Sequence, residues 1–253
     1  MKAAVIYRNG PPEVLSYEDS ADPTCDDNGV LIRVKAVSIE GGDTSNRFLG
    51  ELASVPHIVG YQASGEVIAM GKNVSTHKLC DKVTTVSAFG SHAELRTVPA
   101  MLAFPIPVGL GLEQAAAVPI AFGTADDCLF EFGHLEEGET VLIQAGAGAV
   151  GLAAIQLAKR AGARVLATAS SDERLSFLTE FGMDHGINYV KNDLVAEVMR
   201  LTDGKGVDLI VDPVGGDTLQ KSIYALGYRG RVCSMGQAGR QKRAARHLLA
   251  EQR

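Results

Sequence analysis

The sequence predicts an α/β protein in two parts, a β-rich first half followed by a parallel sheet with helices on both faces. In the first half, short runs of β-forming residues are separated by turn signals such as Asn9-Gly10-Pro11-Pro12. In the second half, apolar strand-like runs alternate with helical patterns, which is typical of βαβ units. The first of these strands leads into the spacing G-x-G-x-x-G at residues 146–151.

The predicted elements follow this division. The first half holds short strands, typical of a barrel-like domain, at residues 3–7, 30–39, 65–70, 82–86, 92–98 and 102–106. The second half holds strands at residues 140–144, 164–169, 186–189, 207–211 and 231–235. Helices are predicted between them at residues 149–161, 172–181, 193–202 and 218–225. Gly162 and Gly182 fall where helix C-caps belong, and a helical connector at residues 113–122 is interrupted by Pro119.

Composition excludes several classes of protein. The chain has 253 residues, 46% of them hydrophobic, and a net charge of -6, which argues against binding to nucleic acid or to an anionic membrane surface. No apolar run is long enough to span a bilayer, and we expect a cytoplasmic protein. The four cysteines and six histidines show no metal-ligand spacing, so we expect free thiols and no bound metal.

The glycine-rich segment predicts a dinucleotide site. The first glycine, Gly146, would permit the turn, Gly148 would let the backbone approach a pyrophosphate, and Gly151 would let helix and strand pack closely. The pyrophosphate would then lie on free N–H groups at the positive end of the helix. The alternative is a packing turn in another kind of α/β domain.

The end of the next strand favours NADP over NAD. An NAD-binding fold normally places an acid there, on the ribose 2′-hydroxyl, whereas this chain has Ser170 and Ser171 and then Arg174 one turn later. Hydroxyls and a guanidinium suit a 2′-phosphate. The alternative is a capping box that pairs Ser170 with Glu173, and Asp172 and Glu173 are the residues that would disfavour the phosphate.

Several further segments carry a family resemblance. They read Gly-Pro-Pro-Glu-Val-Leu at 10–15, Gly-Tyr-Gln-Ala-Ser-Gly-Glu-Val at 60–67, Asp-Lys-Val at 81–83, Gly-Thr-Ala at 123–125, Gly-Ile-Asn-Tyr at 186–189 and Asp-Pro-Val-Gly-Gly at 212–216. Together with residues 144–151 and 167–171, they resemble the zinc-free quinone oxidoreductases. These are relatives of zeta-crystallin in the medium-chain dehydrogenase/reductase superfamily.

The resemblance implies a GroES-like catalytic domain at residues 1–115 and a Rossmann domain at 116–239, with NADPH in the cleft. It also implies the contacts with the nucleotide. These carry over to Gly146, Ala147, Gly148, Ala149, Val150, Gly151, Ser170, Arg174, Tyr189, Val214 and Met235. Thr124 matches a threonine near the nicotinamide. Two alternatives stay open, since Tyr189 could be an ordinary strand residue and Thr124 could cap or bridge the connector.

Two positions concern the substrate pocket. Glu40 stands where many quinone oxidoreductases carry asparagine, and an ionised carboxylate cannot donate to a quinone oxygen as an amide can. Asp43 matches the family's aspartate, but it also lies four residues before Arg47, where a helical ion pair would explain it.

The reaction class implied is hydride transfer from NADPH. Without a metal to polarise the acceptor, quinones and α,β-unsaturated carbonyls are the suitable substrates, because the delivered charge delocalises. Three functions remain: quinone reduction, enoyl or alkenal reduction on the same scaffold, and nucleotide binding with little turnover.

The end of the chain is the last expectation. A two-part Rossmann sheet needs six strands, and the sequence supplies five. Residues 240–253 form a basic tail in an otherwise acidic chain and match nothing in the family. We expect a C-terminal truncation that leaves an unpaired sheet edge, with a native basic helix over that edge as the alternative. Homodimer formation is left open, because the last strand is missing.

Overall fold

The computed structural model describes residues 1–236 and 238–239. The expectation about the basic tail concerns residues 240–253, which lie outside the described residues. The chain divides into two compact units, Met1–Ile120 and Ala121–Arg253, and each is described by itself.

The first unit is built from two antiparallel sheets. Its strands are β1 (Lys2–Ile6), β2 (Ser16–Asp19), β3 (Gly29–Ser38), β4 (His57–Ile58), β5 (Gln62–Met70), β6 (Lys82–Val86), β7 (Leu95–Pro99) and β8 (Ala103–Pro105). The sheets have the orders β2-β1-β4 and β7-β3-β5-β6-β8. Two helices, α1 (Gly41–Leu49) and α2 (Leu112–Ala116), complete the unit. The six predicted strands all form, while β2, β4 and α1 are additional elements.

The larger sheet of this unit encloses an aliphatic core. Alternate residues of β3 supply Val30 and Ile32, which are fully buried, and Val67, Val83 and Val98 from the neighbouring strands pack against them. This period of two is what places one face of each strand in the core.

The second unit is a parallel sheet flanked by helices. Its strands are β9 (Thr140–Ile143), β10 (Arg164–Ala169), β11 (His185–Asn188), β12 (Val207–Asp212) and β13 (Leu226–Ser234). Their order is β11-β10-β9-β12-β13, and every neighbouring pair is parallel. The helices are α3 (Val118–Asp126), which begins before the unit boundary, α4 (Ala149–Arg160), α5 (Asp172–Thr179), α6 (Leu194–Leu201) and α7 (Gly216–Tyr224). The prediction of a parallel sheet with flanking helices is confirmed.

Residue alternation along the central strands creates two cores. Val141 and Ile143 of β9 pack with the residues of α4 and α5 on one side. Leu142 points to the other side and packs with Leu194 and Val198 of α6. Because the sheet is covered on both faces, its inner strands β9, β10 and β12 are mostly apolar rather than alternating.

The helix ends follow the predicted turn chemistry. Gly162 and Gly182 have φ of +81° and +107°, the left-handed conformation expected of glycine after a helix. The connector forms two helices, since α2 ends at Ala116 and α3 begins at Val118. Pro119 lies in the first turn of α3, where a missing N–H costs nothing, so the break falls before the proline.

A half-buried ion pair fastens the last strand. Arg231 of β13 donates to both carboxylate oxygens of Glu139, and to main-chain oxygens of His134 and Asp208 at 2.9 and 3.2 Å. The hydrogen bonds from Arg231 lower the pKa of Glu139.

Within the described part of the chain, no helix has the length and apolarity that a membrane crossing requires.

Candidate nucleotide-binding site

The glycine-rich turn begins one residue earlier than the sequence indicates. Ala145 has φ of +51°, a conformation that non-glycine residues seldom adopt, whereas Gly146 is not among the residues with positive φ. The turn therefore does not depend on a left-handed conformation at Gly146. The left-handed residue is Ala145.

Gly146 and Gly151 are required by packing. A Cβ on Gly146 would lie 2.9 Å from both the Cβ of Ala167 and the Cδ1 of Leu178. A Cβ on Gly151 would lie 2.4 Å from the carbonyl oxygen of Ala145. Both distances are too short for carbon, so the two glycines bring α4 and the neighbouring strand against the turn.

Gly148 differs because it faces open space. A Cβ there would meet only the carbonyl oxygen of Ala145, at 3.3 Å, and both Gly148 and Ala149 are exposed. Gly148 is the N-cap residue of α4. The N–H groups of the first helical turn have no partners within their own helix, so this open side suits an anion.

A cleft of about 210 Å³ opens beside the turn. It lies at the carboxyl ends of the parallel strands, the edge where ligands bind in open α/β sheets. Its walls combine apolar side chains, the ring of a tyrosine, amides, hydroxyls and one lysine. The lining residues are Gln144, Ala145, Thr168, Tyr189, Asn192, Leu194, Val214, Thr218 and Lys221.

Ser170 and Arg174 lie together at the end of β10. The Nη1 of Arg174 donates to the Oγ of Ser170 at 3.3 Å, and the Arg174 side chain is exposed. The helix N-cap is Ser171, whose Oγ accepts from the backbone N–H of Arg174 at 3.3 Å. The alternative capping box between Ser170 and Glu173 is therefore wrong, because the cap lies one residue later and leaves the Ser170 hydroxyl outside the helix.

Asp172 is held by two neighbouring side chains. Asn188 donates to one of its oxygens at 2.6 Å, and the Nζ of Lys191 lies 2.6 Å from the other. These hydrogen bonds, the one from Asn188 foremost, lower the pKa of Asp172. Of the two acids expected to disfavour a phosphate next to Arg174, Asp172 is therefore paired with a lysine.

The remaining predicted nucleotide residues lie on the loops after β11, β12 and β13. Tyr189 is 54% exposed and shares the cleft with Val214. Asp212, which is fully buried, accepts from the backbone N–H groups of Val214 and Gly215 at 2.7 and 3.0 Å. The N–H of Met235 donates to the Asp212 carbonyl at 3.1 Å. Asp212 thus holds the loops after β12 and β13 through hydrogen bonds. The sequence analysis included Asp212 in the Asp-Pro-Val-Gly-Gly segment but did not predict this role.

In the first unit, Glu40 is engaged by two donors. Its Oε1 accepts from the Ser38 hydroxyl at 2.7 Å and from the Gln62 amide at 2.6 Å. The Oε1 of Gln62 in turn accepts from the backbone N–H of Ile120 at 2.9 Å. This carboxylate therefore accepts hydrogen bonds from its own neighbours, and its effect on a bound acceptor stays a prediction.

Asp43 anchors the start of α1. Its carboxylate accepts from the backbone N–H of Glu40 at 2.8 Å and from that of Tyr61 at 3.1 Å. Burial raises the pKa of Asp43. The Nε of Arg47 donates to the carbonyl oxygen of Gly10, and the described residues contain no ion pair between Asp43 and Arg47. The predicted helical pair is therefore wrong, because Asp43 serves the helix N-terminus instead.

Thr124 is half-buried in α3, between the buried residues Ala121 and Ala125. It belongs to the second unit, whereas Glu40 and Asp43 belong to the first. The predicted nucleotide residues thus lie along one edge of the parallel sheet, whereas the three residues predicted for a substrate pocket belong to two different units.

Potential metal ligands do not cluster in the described part of the chain. Within residues 1–236 and 238–239, no group of three or more His, Cys, Asp or Glu side chains is placed to hold a metal ion. The four cysteines are free, and burial raises the pKa of Cys128 to about 11.

Two family models match this chain. The model described as "Alcohol dehydrogenase GroES-like domain" covers residues 26–108, and the model described as "Zinc-binding dehydrogenase" covers residues 149–253. The first match lies within the β-rich unit and the second begins at the first residue of α4.

Curated relatives extend over both units. The human synaptic vesicle membrane protein VAT-1 homolog is 34% identical over 239 residues, covering 93% of this chain. The chain spans only 60% of that relative's length. The quinone oxidoreductase of Pseudomonas aeruginosa is 34% identical over 231 residues, which cover 90% of this chain and 71% of the relative.

Solved structures show the same fold. The Escherichia coli quinone oxidoreductase complexed with NADPH has a TM-score of 0.87 and 31% identity, covering 93% of this chain and 73% of that one. The CurK enoyl reductase has a TM-score of 0.88 and 27% identity, covering all of this chain and 78% of that one. The chain belongs to the medium-chain dehydrogenase/reductase superfamily, in which quinone oxidoreductases are among its relatives.

Proposed function

We propose that this protein is an NADPH-dependent oxidoreductase that transfers hydride to a quinone without a metal. The observation that carries the proposal is the arrangement at the end of β10. Ser170 and Arg174 face solvent together, while the nearby Asp172 is paired with Lys191. This arrangement supplies a guanidinium and a hydroxyl for a 2′-phosphate, and Lys191 offsets the charge of Asp172, one of the two neighbouring acids.

The geometry supports a binding mode for the whole nucleotide. The pyrophosphate would lie over Gly148, where the backbone is exposed, and would accept from the N–H groups at the start of α4. The adenine ring would enter the cleft between Tyr189 and Val214, because an aromatic base suits a wall of apolar and aromatic side chains. The predicted contacts at residues 146–151, Ser170 and Arg174 belong to this mode.

The bound nucleotide supplies a hydride at its nicotinamide ring, and the protein orients that ring and excludes water. A quinone or an α,β-unsaturated carbonyl accepts hydride without a Lewis acid, because the resulting negative charge is delocalised. Thr124, Glu40 and Asp43 remain the proposed residues of the acceptor pocket on the strength of the family resemblance. Asp43 would act there by positioning Glu40, since its own oxygens are taken by backbone N–H groups.

Enoyl or alkenal reduction is the second candidate function. It is favoured by the structural likeness to an enoyl reductase over the full length of this chain. The same nucleotide site would serve both reactions, so the acceptor distinguishes them. Nucleotide binding with little turnover is the third candidate, and it belongs to a different class of function.

Steady-state oxidation of NADPH separates the three candidates. We expect the purified protein to oxidise NADPH with 1,4-benzoquinone as acceptor and to retain this activity after exhaustive treatment with a chelator. Turnover with an enone but not with any quinone would favour the second candidate. Tight NADPH binding with no turnover of either quinones or enones would favour the third. Stoichiometric zinc after treatment with the chelator would contradict a metal-free reaction.

A further inference from the structure

The left-handed residue of the glycine-rich turn needs an explanation. Ala145 has φ of +51°, a left-handed conformation that is unfavourable for a residue with a Cβ. A glycine at this position would adopt the same conformation without that steric cost. The surrounding structure must therefore hold the backbone in place.

Thr168 of β10 supplies this restraint twice. Its side-chain Oγ1 accepts from the N–H of Ala145 at 3.1 Å, and its carbonyl oxygen accepts from the N–H of Gly146 at 2.8 Å. Thr168 is 1% exposed, so water does not compete for these bonds. Two consecutive N–H groups of the turn are thus fixed by a single residue on the neighbouring strand.

The hydroxyl of Thr168 belongs to a longer chain of hydrogen bonds. It donates its one proton to the Oε1 of Gln144 at 2.7 Å, so only its lone pairs face Ala145. The Nε2 of Gln144 then donates to the Oγ of Ser222 at 3.0 Å. All three side chains are at least 98% buried, and breaking any link would leave a buried polar group without its partner.

This chain of bonds, which we name the Thr168–Gln144–Ser222 relay, joins the turn to α7. Ser222 lies in α7, and Thr218 and Lys221 of the same helix line the cleft. Thr168 and Gln144 line it as well. The relay therefore connects the turn on one side of the cleft with the helix on the other.

We propose that Thr168 is a positioning residue for the nucleotide. Acting through the relay, it presets the turn so that the open side at Gly148 meets the pyrophosphate, and it couples this turn to the cleft wall on α7. The inference rests on the proposed function, because it assumes that a dinucleotide binds here. It assigns a role to three buried residues that do not themselves contact the phosphates.

The test compares two substitutions of Thr168. Thr168→Val keeps the shape of the side chain and removes the hydroxyl, whereas Thr168→Ser keeps the hydroxyl. We expect Thr168→Val to weaken NADPH and NADH binding equally, by about tenfold in Kd. Thr168→Ser is expected to bind within about twofold of wild type. Thr168→Val is also expected to accelerate hydrogen exchange at the Ala145 and Gly146 N–H groups without any nucleotide present.

Two further variants separate positioning from general loss of stability. Thr84→Val removes another buried hydroxyl, which donates to the Ala115 carbonyl in the first unit at 2.8 Å, and it should leave nucleotide binding unchanged. Ser222→Ala should weaken binding on its own but add little in the Thr168→Val background, because both break the same relay.

The outcomes distinguish this inference from the proposed function. If wild-type protein binds NADPH and Thr168→Val binds it equally well, the positioning role is overturned and the proposed function stands. If Thr84→Val weakens binding as much as Thr168→Val, the effect is one of stability and the inference is also overturned. If the wild-type protein binds no nucleotide, both the proposed function and the positioning role of Thr168 are overturned.

Discussion

Replacing Gly151 with alanine is expected to lower the free energy of unfolding by about 1–3 kcal/mol. The added Cβ would lie 2.4 Å from the carbonyl oxygen of Ala145 and 2.7 Å from the Cα of Gly146. Both are backbone atoms, so no side chain can rotate away. Alanine's better helix propensity, about 0.5–1 kcal/mol, offsets only part of this cost. The measurement is the midpoint of thermal or urea unfolding.

Gly148→Ala is the matched control in the same turn. Its backbone angles, φ of -81° and ψ of 165°, are ordinary for alanine, and the new Cβ would meet only one atom, at 3.3 Å. We expect the free energy of unfolding to fall by no more than about 1 kcal/mol, since alanine is a poorer N-cap than glycine. NADPH binding should weaken at least about tenfold, or ~1.4 kcal/mol, because the methyl group fills the space left for the pyrophosphate. Unchanged binding in a stable Gly148→Ala protein would show that the phosphates lie elsewhere.

Arg174→Ala is expected to weaken NADPH binding by about 1–3 kcal/mol, roughly five- to a hundredfold in Kd, and to leave NADH binding nearly unchanged. The reason is that NADH lacks the phosphate that Arg174 and Ser170 would hold. The ratio of the dissociation constants of NADH and NADPH for the wild-type protein should also decrease at high salt, since the guanidinium is exposed. Parallel titrations of both nucleotides at two ionic strengths measure it.

Arg160→Ala serves as the charge-matched control for that experiment. Arg160 is exposed at the last turn of α4, at the opposite end of that helix from the glycine turn. Its loss should change neither titration. Equal weakening of NADPH and NADH by Arg174→Ala would mean that this arginine does not recognise the 2′-phosphate.

Much of the fold could be predicted because buried parallel strands appear in the sequence as continuous apolar runs. The inner strand β10 (Arg164–Ala169) forms where its apolar run predicted it. The strand β2 reads Ser-Tyr-Glu-Asp and is mostly exposed, so no apolar pattern marks it. The helix α1 was missed because two glycines and several polar residues hide its periodicity. β13 starts five residues before the predicted strand, since Arg229 with φ of +60° interrupts the pattern.

Part of the candidate site could likewise be predicted from local sequence signals, and part depends on contacts between distant residues. The glycine spacing and the serines after β10 are local signals, and they identified the turn and the Ser170–Arg174 pair. The partner of Asp172 could not be predicted, because Lys191 lies nineteen residues away and meets it only through the packing of β11 beside β10. The left-handed Ala145 depends in the same way on Thr168, which is distant in sequence.

A fluorescence titration of the wild-type protein with NADPH and with NADH tests whether this chain is an NADPH-dependent oxidoreductase. We expect saturable binding of one nucleotide per chain, with NADPH at least about tenfold tighter than NADH because a charged phosphate contact is worth ~1.5–3 kcal/mol. Adding 1,4-benzoquinone to the same cuvette should then abolish the fluorescence of bound NADPH, because the nucleotide is oxidised. Tighter binding of NADH, or no binding of either nucleotide, would show that the protein does not have the proposed function.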